Sequence, residues 1–317
     1  MNDLKRIIIA GGSGFLGQAL ANHFLNAQLD AVILTRSAEQ CGLAGRRVFW
    51  DASTRGAWQE ELEGAAALVN LTGKSVDCRY TRRNREQILD SRLNSTLVLG
   101  EAIGRCAEPP PVWLNASTAT IYRHTLGHPW DESGQIEATA EVKDRFSIDV
   151  ALAWEEALHA ASTPRTRKVA MRMAMVLGLG RNSVFPVVRR LTRFGLGGKM
   201  ASGRQFVSWI HVNDYCRAVE WLIDHPTLEG PINLSAPNPL PNVEMMRILR
   251  QTCGVPLGLP AAGWMLEMGA FLLRTETELI IKSRRVIPRR LLESGFEFQF
   301  RDIREAFEEL RARGATS

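Results

Sequence analysis

Cysteine is scarce. The five in this chain of 317 residues (Cys41, Cys78, Cys106, Cys216 and Cys253) are scattered, odd in number and without C-x-x-C pairing. Neither a disulfide framework nor a metal site is indicated, and a reducing cytoplasm is expected. No signal peptide is visible, because Met1-Asn-Asp-Leu-Lys-Arg leads directly into an apolar strand. Long hydrophobic runs are lacking too: the longest apolar helical stretch, Pro260 to Leu273, is too short to span a bilayer and contains Glu267. A soluble protein without a membrane partner is therefore expected. Charge of one sign is not in excess either. With 39 basic against 34 acidic residues, the net charge of +5 is too modest and too dispersed to argue for nucleic acid. Internal repeats and low-complexity tracts are absent. What remains is 45% apolar content, enough for one large domain or a large domain with a smaller appendage.

The positive signal begins at residues 5–17, Lys-Arg-Ile-Ile-Ile-Ala-Gly-Gly-Ser-Gly-Phe-Leu-Gly. Ile7 to Ala10 suit a strand covered on both faces, and Gly11, Gly14 and Gly17 give the spacing of a tight turn that opens a helix. Gly11 allows the turn, Gly14 lets the backbone approach a pyrophosphate and Gly17 lets the helix pack close to the strand. The helix N-terminus, at Phe15 and Leu16, offers N–H groups to the anion. Apolar residues at Phe15, Leu16, Ala19, Leu20, Phe24 and Leu25 continue the helix. A dinucleotide site is the reading, against a glycine-rich loop without a ligand.

Strands and helices then alternate. Ala31 to Thr35 is a second buried strand, and Arg36, not an acid, follows it. An acid there would bind a ribose 2′-OH, whereas arginine accommodates a 2′-phosphate, so NADP(H) is favoured over NAD(H). Arg47 to Trp50 is a third strand, with Asp51 at its end able to reach an adenine amino group. Ala66 to Leu71 is a fourth, followed by Thr72-Gly73, a small turn along which a cofactor can lie. A helix from about Thr81 to Arg105 leads to a fifth strand, Val112 to Ala116, ending in Ser117-Thr118. An amphipathic helix over residues 145–162 precedes a sixth strand, Lys168 to Met173. This order predicts a doubly wound parallel sheet of Rossmann type. The expected division is a dinucleotide-binding domain over 1–170, then sheet completion and a smaller C-terminal substrate lobe over 171–317. The latter holds a glycine-rich loop (Gly195, Gly197, Gly198, Gly203), a strand from Phe206 to Ile210 and helices beyond about residue 231. Two basic clusters, Arg79 with Arg82, Arg83, Arg85 and Arg92, and Arg284 with Arg285, Arg289 and Arg290, read either as solvated faces or as an anion site.

With these pieces placed, the chain resembles the short-chain dehydrogenase/reductase superfamily, extended type, and in particular an atypical branch of epimerase family proteins. The likeness rests on residues 11–17, Asn70-Leu-Thr-Gly73, Ser91-Arg92, Trp154-Glu155, Phe194-Gly-Leu-Gly-Gly198, Ser202-Gly-Arg-Gln205, Ser208-Trp-Ile-His211, Gly230-Pro-Ile-Asn233, Ala236-Pro237 and Val286 to Phe296, and it spans nearly the whole chain. It implies an NADP(H)-binding fold whose chemistry uses a hydroxyl, a tyrosine and a lysine over the nicotinamide. By position Thr118 is the hydroxyl, Asn94 sits near the superfamily's helix asparagine, and Arg172 and Met173 pack near the nicotinamide. Arg204 falls on a loop that contacts substrate phosphates in related sugar epimerases. His211 reads as a structural residue or a substrate contact.

The tyrosine and lysine are absent: alignment through Glu155 puts Phe146 and Val150 in their places. Tyr122, His124, Lys143 or Asp144 replaces the acid, or a hydroxyl and water suffice, or the chain binds NADP(H) without catalysis. Lys74 and Arg123-His124 depart from the branch near the pocket mouth. An electropositive mouth built from Arg204 and the helix carrying Arg79 to Arg92 predicts a small anionic substrate. The protein is expected to act as a monomer or homodimer.

Overall fold

The structure, a computed structural model, describes residues 5–37, 42–180, 183–261, 276 and 278–314. Strand β1 (Arg6–Ala10) leads through the glycine turn into helix α1 (Phe15–Asn26). Then come β2 (Asp30–Thr35), β3 (Arg46–Phe49), β4 (Ala67–Asn70), α2 (Arg82–Ile103), β5 (Val112–Thr118), α3 (Arg145–Ala160) and β6 (Arg167–Met173). Beyond them lie β7 (Met175–Leu177), α4 (Val184–Leu191), β8 (Phe206–Val207), β9 (Trp209–His211), α5 (Val212–Asp224), β10 (Gly230–Leu234), β11 (Leu240–Pro241) and α6 (Asn242–Cys253). Short helices at Glu278–Ile281 and Arg289–Glu293 precede a last one at Ile303–Arg313.

The expected Rossmann-type sheet is present, with seven strands in the order β10-β6-β5-β4-β1-β2-β3 and every pairing parallel. Its β1 has apolar side chains on both faces because both faces are covered. Ile7 and Ile9 join one core with Phe24, Tyr215 and Leu222. Ile8 and Ala10 join the opposite core with Trp50, Trp58, Leu99 and Trp113. Each such large side chain, removed from water, contributes about 1.5–3 kcal/mol to holding helices on the sheet. Strand order reverses between β1 and β4, so a crevice opens at the carboxyl ends of those strands.

The later region differs in detail from the sequence pattern. The strand expected from Phe206 to Ile210 is split at Ser208: β8 pairs antiparallel with β11, and β9 pairs parallel with β7. Ser208 Oγ accepts from Val286 N at 2.8 Å, stitching the break to the C-terminal segment. β10 is the sheet's edge, where Pro231 costs no ladder bond on its open side. A third core, with Phe185, Trp209, Met246, Leu249, Phe307 and Leu310, joins α4, β9, α6 and the last helix. Of the apolar stretch from Pro260 to Leu273, residues 262–273 lie outside the described residues, as does Cys41.

Candidate functional site

A cleft of about 500 Å³ lies across the crevice, lined by the glycine turn, the ends of β4, β5 and β6, and one face of α3. At one end the backbone is the recognition surface. Gly11 has φ +75°, and a Cβ there would stand 3.0 Å from the Thr72 backbone. At Gly17 a Cβ would stand 2.4 Å from Gly12 Cα, so only glycine lets α1 start this close to the turn. At Gly14 a Cβ would meet nothing nearer than Gly11 O at 3.8 Å, which leaves the turn open on the cleft side. Gly14 is also the N-cap of α1, with no capping side chain and no acid in the first turn. Uncapped N–H groups and the helix dipole there suit a pyrophosphate. Gln18, which no motif in the sequence marks, holds the turn: its Nε2 donates to Gly12 O at 2.8 Å and its Oε1 accepts from Ala44 N at 2.8 Å. Thr72, expected at the cofactor, is not itself a lining residue; its Oγ1 is buried beside Gly11 without a hydrogen-bond partner among the described residues. These residues fit a dinucleotide.

The other expected cofactor residues divide. Phe15, Leu16, Leu71, Gly73, Ser117 and Met173 line the cleft. Thr35 is buried and its Oγ1 accepts from Ser37 N at 3.2 Å, so it shapes the end of β2. Arg36 is exposed just beyond, with no ion pair among the described residues. Asp51 is exposed and its carboxylate accepts from Ser53 N, Thr54 N and Thr54 Oγ1 at 2.9, 2.8 and 2.5 Å, which holds its pKa below the ordinary value. Arg172 does not face the cofactor space. It is buried, donates to both oxygens of Glu155 at 2.9 and 2.8 Å, and donates to Tyr122 Oη at 2.9 Å.

The tentative catalytic set is dispersed. Thr118 lines the cleft, where its Oγ1 caps the following turn by accepting from Thr120 N at 3.1 Å. Tyr122, in contrast, sits behind that wall: its hydroxyl donates to Asn233 Oδ1 at 2.8 Å, and burial pushes its pKa up to about 12. It is a structural tyrosine. Asn94 is exposed on α2, turned from the cleft, because the face that meets the cleft is set by Arg92, two residues earlier. His211 is fully buried as the N-cap of α5, with Nδ1 accepting from Asn213 N at 3.1 Å and Nε2 3.0 Å from Glu309 Oε2. Arg204 is exposed, and neither it nor His211 lines the cleft. His124 accepts from Ser283 N through Nδ1 at 3.0 Å, Lys143 is exposed, and Asp144 is ion-paired with Lys282 at 2.6 Å. None of these three lines the cleft.

Arg92, on the helix expected at the electropositive mouth, and Tyr80, in no expected site set, both line the cleft. Arg92 lies over the Trp154 ring at 4.9 Å and donates to Lys74 O and Ile88 O at 3.1 and 2.8 Å. It has no ion pair among the described residues, and burial lowers its pKa to about 10. Tyr80 lines the far end beside Ser147 and Val150. The arginine cluster signalled Arg92; nothing in the local sequence marks Tyr80.

Fold and cradle together define a nicotinamide-dinucleotide protein of the doubly wound class. The chain belongs to the NAD dependent epimerase/dehydratase family, whose model matches residues 7–234, and a domain of unknown function matches 261–310. An epimerase family protein of Staphylococcus haemolyticus is 29% identical over 311 residues, 97% of this chain and 99% of that one. Epimerase family protein SDR39U1 of Bos taurus is 28% identical, covering 97% and 100%. Human epimerase family protein SDR39U1, solved with NADPH, superposes with a TM-score of 0.83 at 26% identity, covering 96% of this chain and 98% of that one.

Proposed function

We propose that this protein is an NADP(H)-dependent oxidoreductase or epimerase acting on a small anionic molecule. One observation carries the reading: a single cleft joins the uncapped glycine cradle, the strand-end hydroxyl of Thr118 and the half-buried guanidinium of Arg92, which has no carboxylate partner among the described residues. A cation so placed gains most from a phosphate or carboxylate brought to it in a water-poor site. Arg36 just past β2, where the strand end carries no acid, favours a 2′-phosphate on the adenosine ribose, in keeping with the NADPH held by the human relative. When bound, NADP(H) supplies hydride chemistry; the chain supplies the anion cradle, the orientation and the exclusion of water. Calorimetric titration tests the first half: NADPH binds more tightly than NADH, and equal affinities overturn the assignment. Mass spectrometry of co-purified ligand tests the second, where an uncharged ligand removes the argument from Arg92. The protein is taken to act in the cytoplasm as a monomer or homodimer.

A second reading, a non-catalytic NADP(H)-responsive protein, is favoured by Val150, which lines the cleft where the superfamily's lysine is expected. Cofactor binding with no turnover of any carbonyl supports it.

A further inference from the structure

Phe146 carries no hydroxyl, but the ring it packs against does. Tyr80 meets Phe146 edge-on, with ring centroids 5.0 Å apart and planes at 67°. Tyr80 lines the same cleft as Thr118, Ser147 and Val150. Of the chain's three tyrosines, Tyr122 and Tyr215 are 2% and 0% exposed, and neither lines the cleft. The Tyr80 hydroxyl shares a hydrogen bond with Ser147, and Ser147 Oγ donates to Glu278 Oε2 at 2.9 Å. A serine hydroxyl donates one proton and also accepts, so Ser147 can stand between Tyr80 and Glu278 as a relay. Glu278 is buried, its Oε1 has no hydrogen-bond partner among the described residues, and burial raises its pKa against the bond from Ser147 and the charges of Arg284 and Lys282. Glu276 Oε1 accepts from Tyr80 N at 2.5 Å and fixes the backbone. Beneath them, Lys282 pairs with Asp144 at 2.6 Å, and Arg284 Nε donates to Thr120 Oγ1 at 2.9 Å. Glu276, Glu278, Lys282 and Arg284 all belong to the segment matched by the domain of unknown function.

We infer that Tyr80 is the proton donor and acceptor of the cleft, held and re-protonated through Ser147 by Glu278 of the C-terminal segment. The inference rests on the oxidoreductase reading above. In the reducing direction a carbonyl carbon receives hydride, two electrons and one hydrogen, from the dihydronicotinamide, and the C=O π pair moves to oxygen. That oxygen takes the Tyr80 Oη proton, which gives the alcohol and the oxidised cofactor. The Ser147 hydroxyl then turns from Glu278 to the phenolate and gives it its proton, taking in the same movement the proton of the Glu278 carboxyl, which regains one from solvent. Phe146 keeps only the packing role of the ring it replaces.

The test uses the full chain with NADPH and a panel of aldehydes, ketones and α-dicarbonyls, followed by loss of NADPH absorbance. NADPH binding by fluorescence titration and nitration of tyrosine by tetranitromethane are measured beside it. Nitration is expected first at Tyr80, slowed by NADPH. Tyr80→Phe keeps NADPH affinity within about threefold and lowers kcat about 100- to 10,000-fold. Ser147→Ala and Glu278→Gln lower kcat with little change in KM, and adding Glu278→Gln to Tyr80→Phe costs nothing further, which a merely structural role would not produce. If Tyr80→Phe fails to fold, the kcat and KM of Glu278→Gln decide. Turnover in Tyr80→Phe within about threefold of wild type, or NADPH binding without reduction of any carbonyl in the panel, overturns the proposal. Absence of NADPH binding overturns the oxidoreductase reading itself.

Discussion

The two ends of the cleft are built differently. The cradle end comes from Gly11 to Gly17 with Leu71 and Gly73, and its ligand groups are mainly backbone N–H groups. The reacting end gathers Tyr80, Thr118, Ser147 and Glu278, residues that tertiary packing alone brings together. Behind the strand end that both share lies a buried cluster in which Glu155 takes two bonds from Arg172 and one, at 2.6 Å, from Ser117 Oγ. Backbone recognition needs only a turn, a helix start and the absence of Cβ atoms. Side-chain chemistry needs distant residues held in register, so its parts can be exchanged while the frame persists.

The largest expected effect breaks that cluster. Glu155→Gln leaves Arg172, only 4% exposed, without its carboxylate, and stability should fall by about 3–5 kcal/mol in urea denaturation. A loss under about 1 kcal/mol would show that this buried cluster is not needed to hold the strand end behind the cleft. Next comes the cradle. Arg36→Asp should erase a NADPH preference of about ten- to a hundredfold, read by calorimetry, while the reacting end is untouched. Gly17→Ala forces a Cβ against Gly12 Cα and should cost about 1–3 kcal/mol, with weakened binding of both dinucleotides.

The smallest effect is a pH slope from His211, outside the cleft. Burial lowers its pKa, opposed by Glu309 and Asp214, while Arg313 also lowers it; Phe300 packs on the ring at 3.9 Å. A histidine with a depressed folded pKa is protonated more readily when unfolded. Its contribution is therefore held above the unfolded value of about 6.5 and lost as pH falls below it, by at most about 1.4 kcal/mol per pH unit. Stability measured from neutral pH downward should show this slope in wild type, and His211→Asn should flatten it.

Much of the molecule was legible in the sequence. Four apolar residues before Gly11, βαβ alternation and an arginine after the second strand specify the sheet and cradle, because hydrophobic periodicity and glycine spacing are local signals. Arg92 was visible as one of a basic cluster, but which arginine turns inward depends on the rotation of α2 against β4 and α3. Tyr122 and Arg172 were misplaced for the converse reason. Their types suit catalysis and phosphate binding, yet the structure spends their polar groups on Asn233, Glu132 and Glu155. Tyr80 carries no local mark, for its partners come from residues 147 and 278. The sequence by itself determined the parallel sheet, the phosphate turn and the family; only the tertiary structure decided which polar side chains reach the cleft, because a buried donor or acceptor goes to whichever partner the packing brings within about 3 Å.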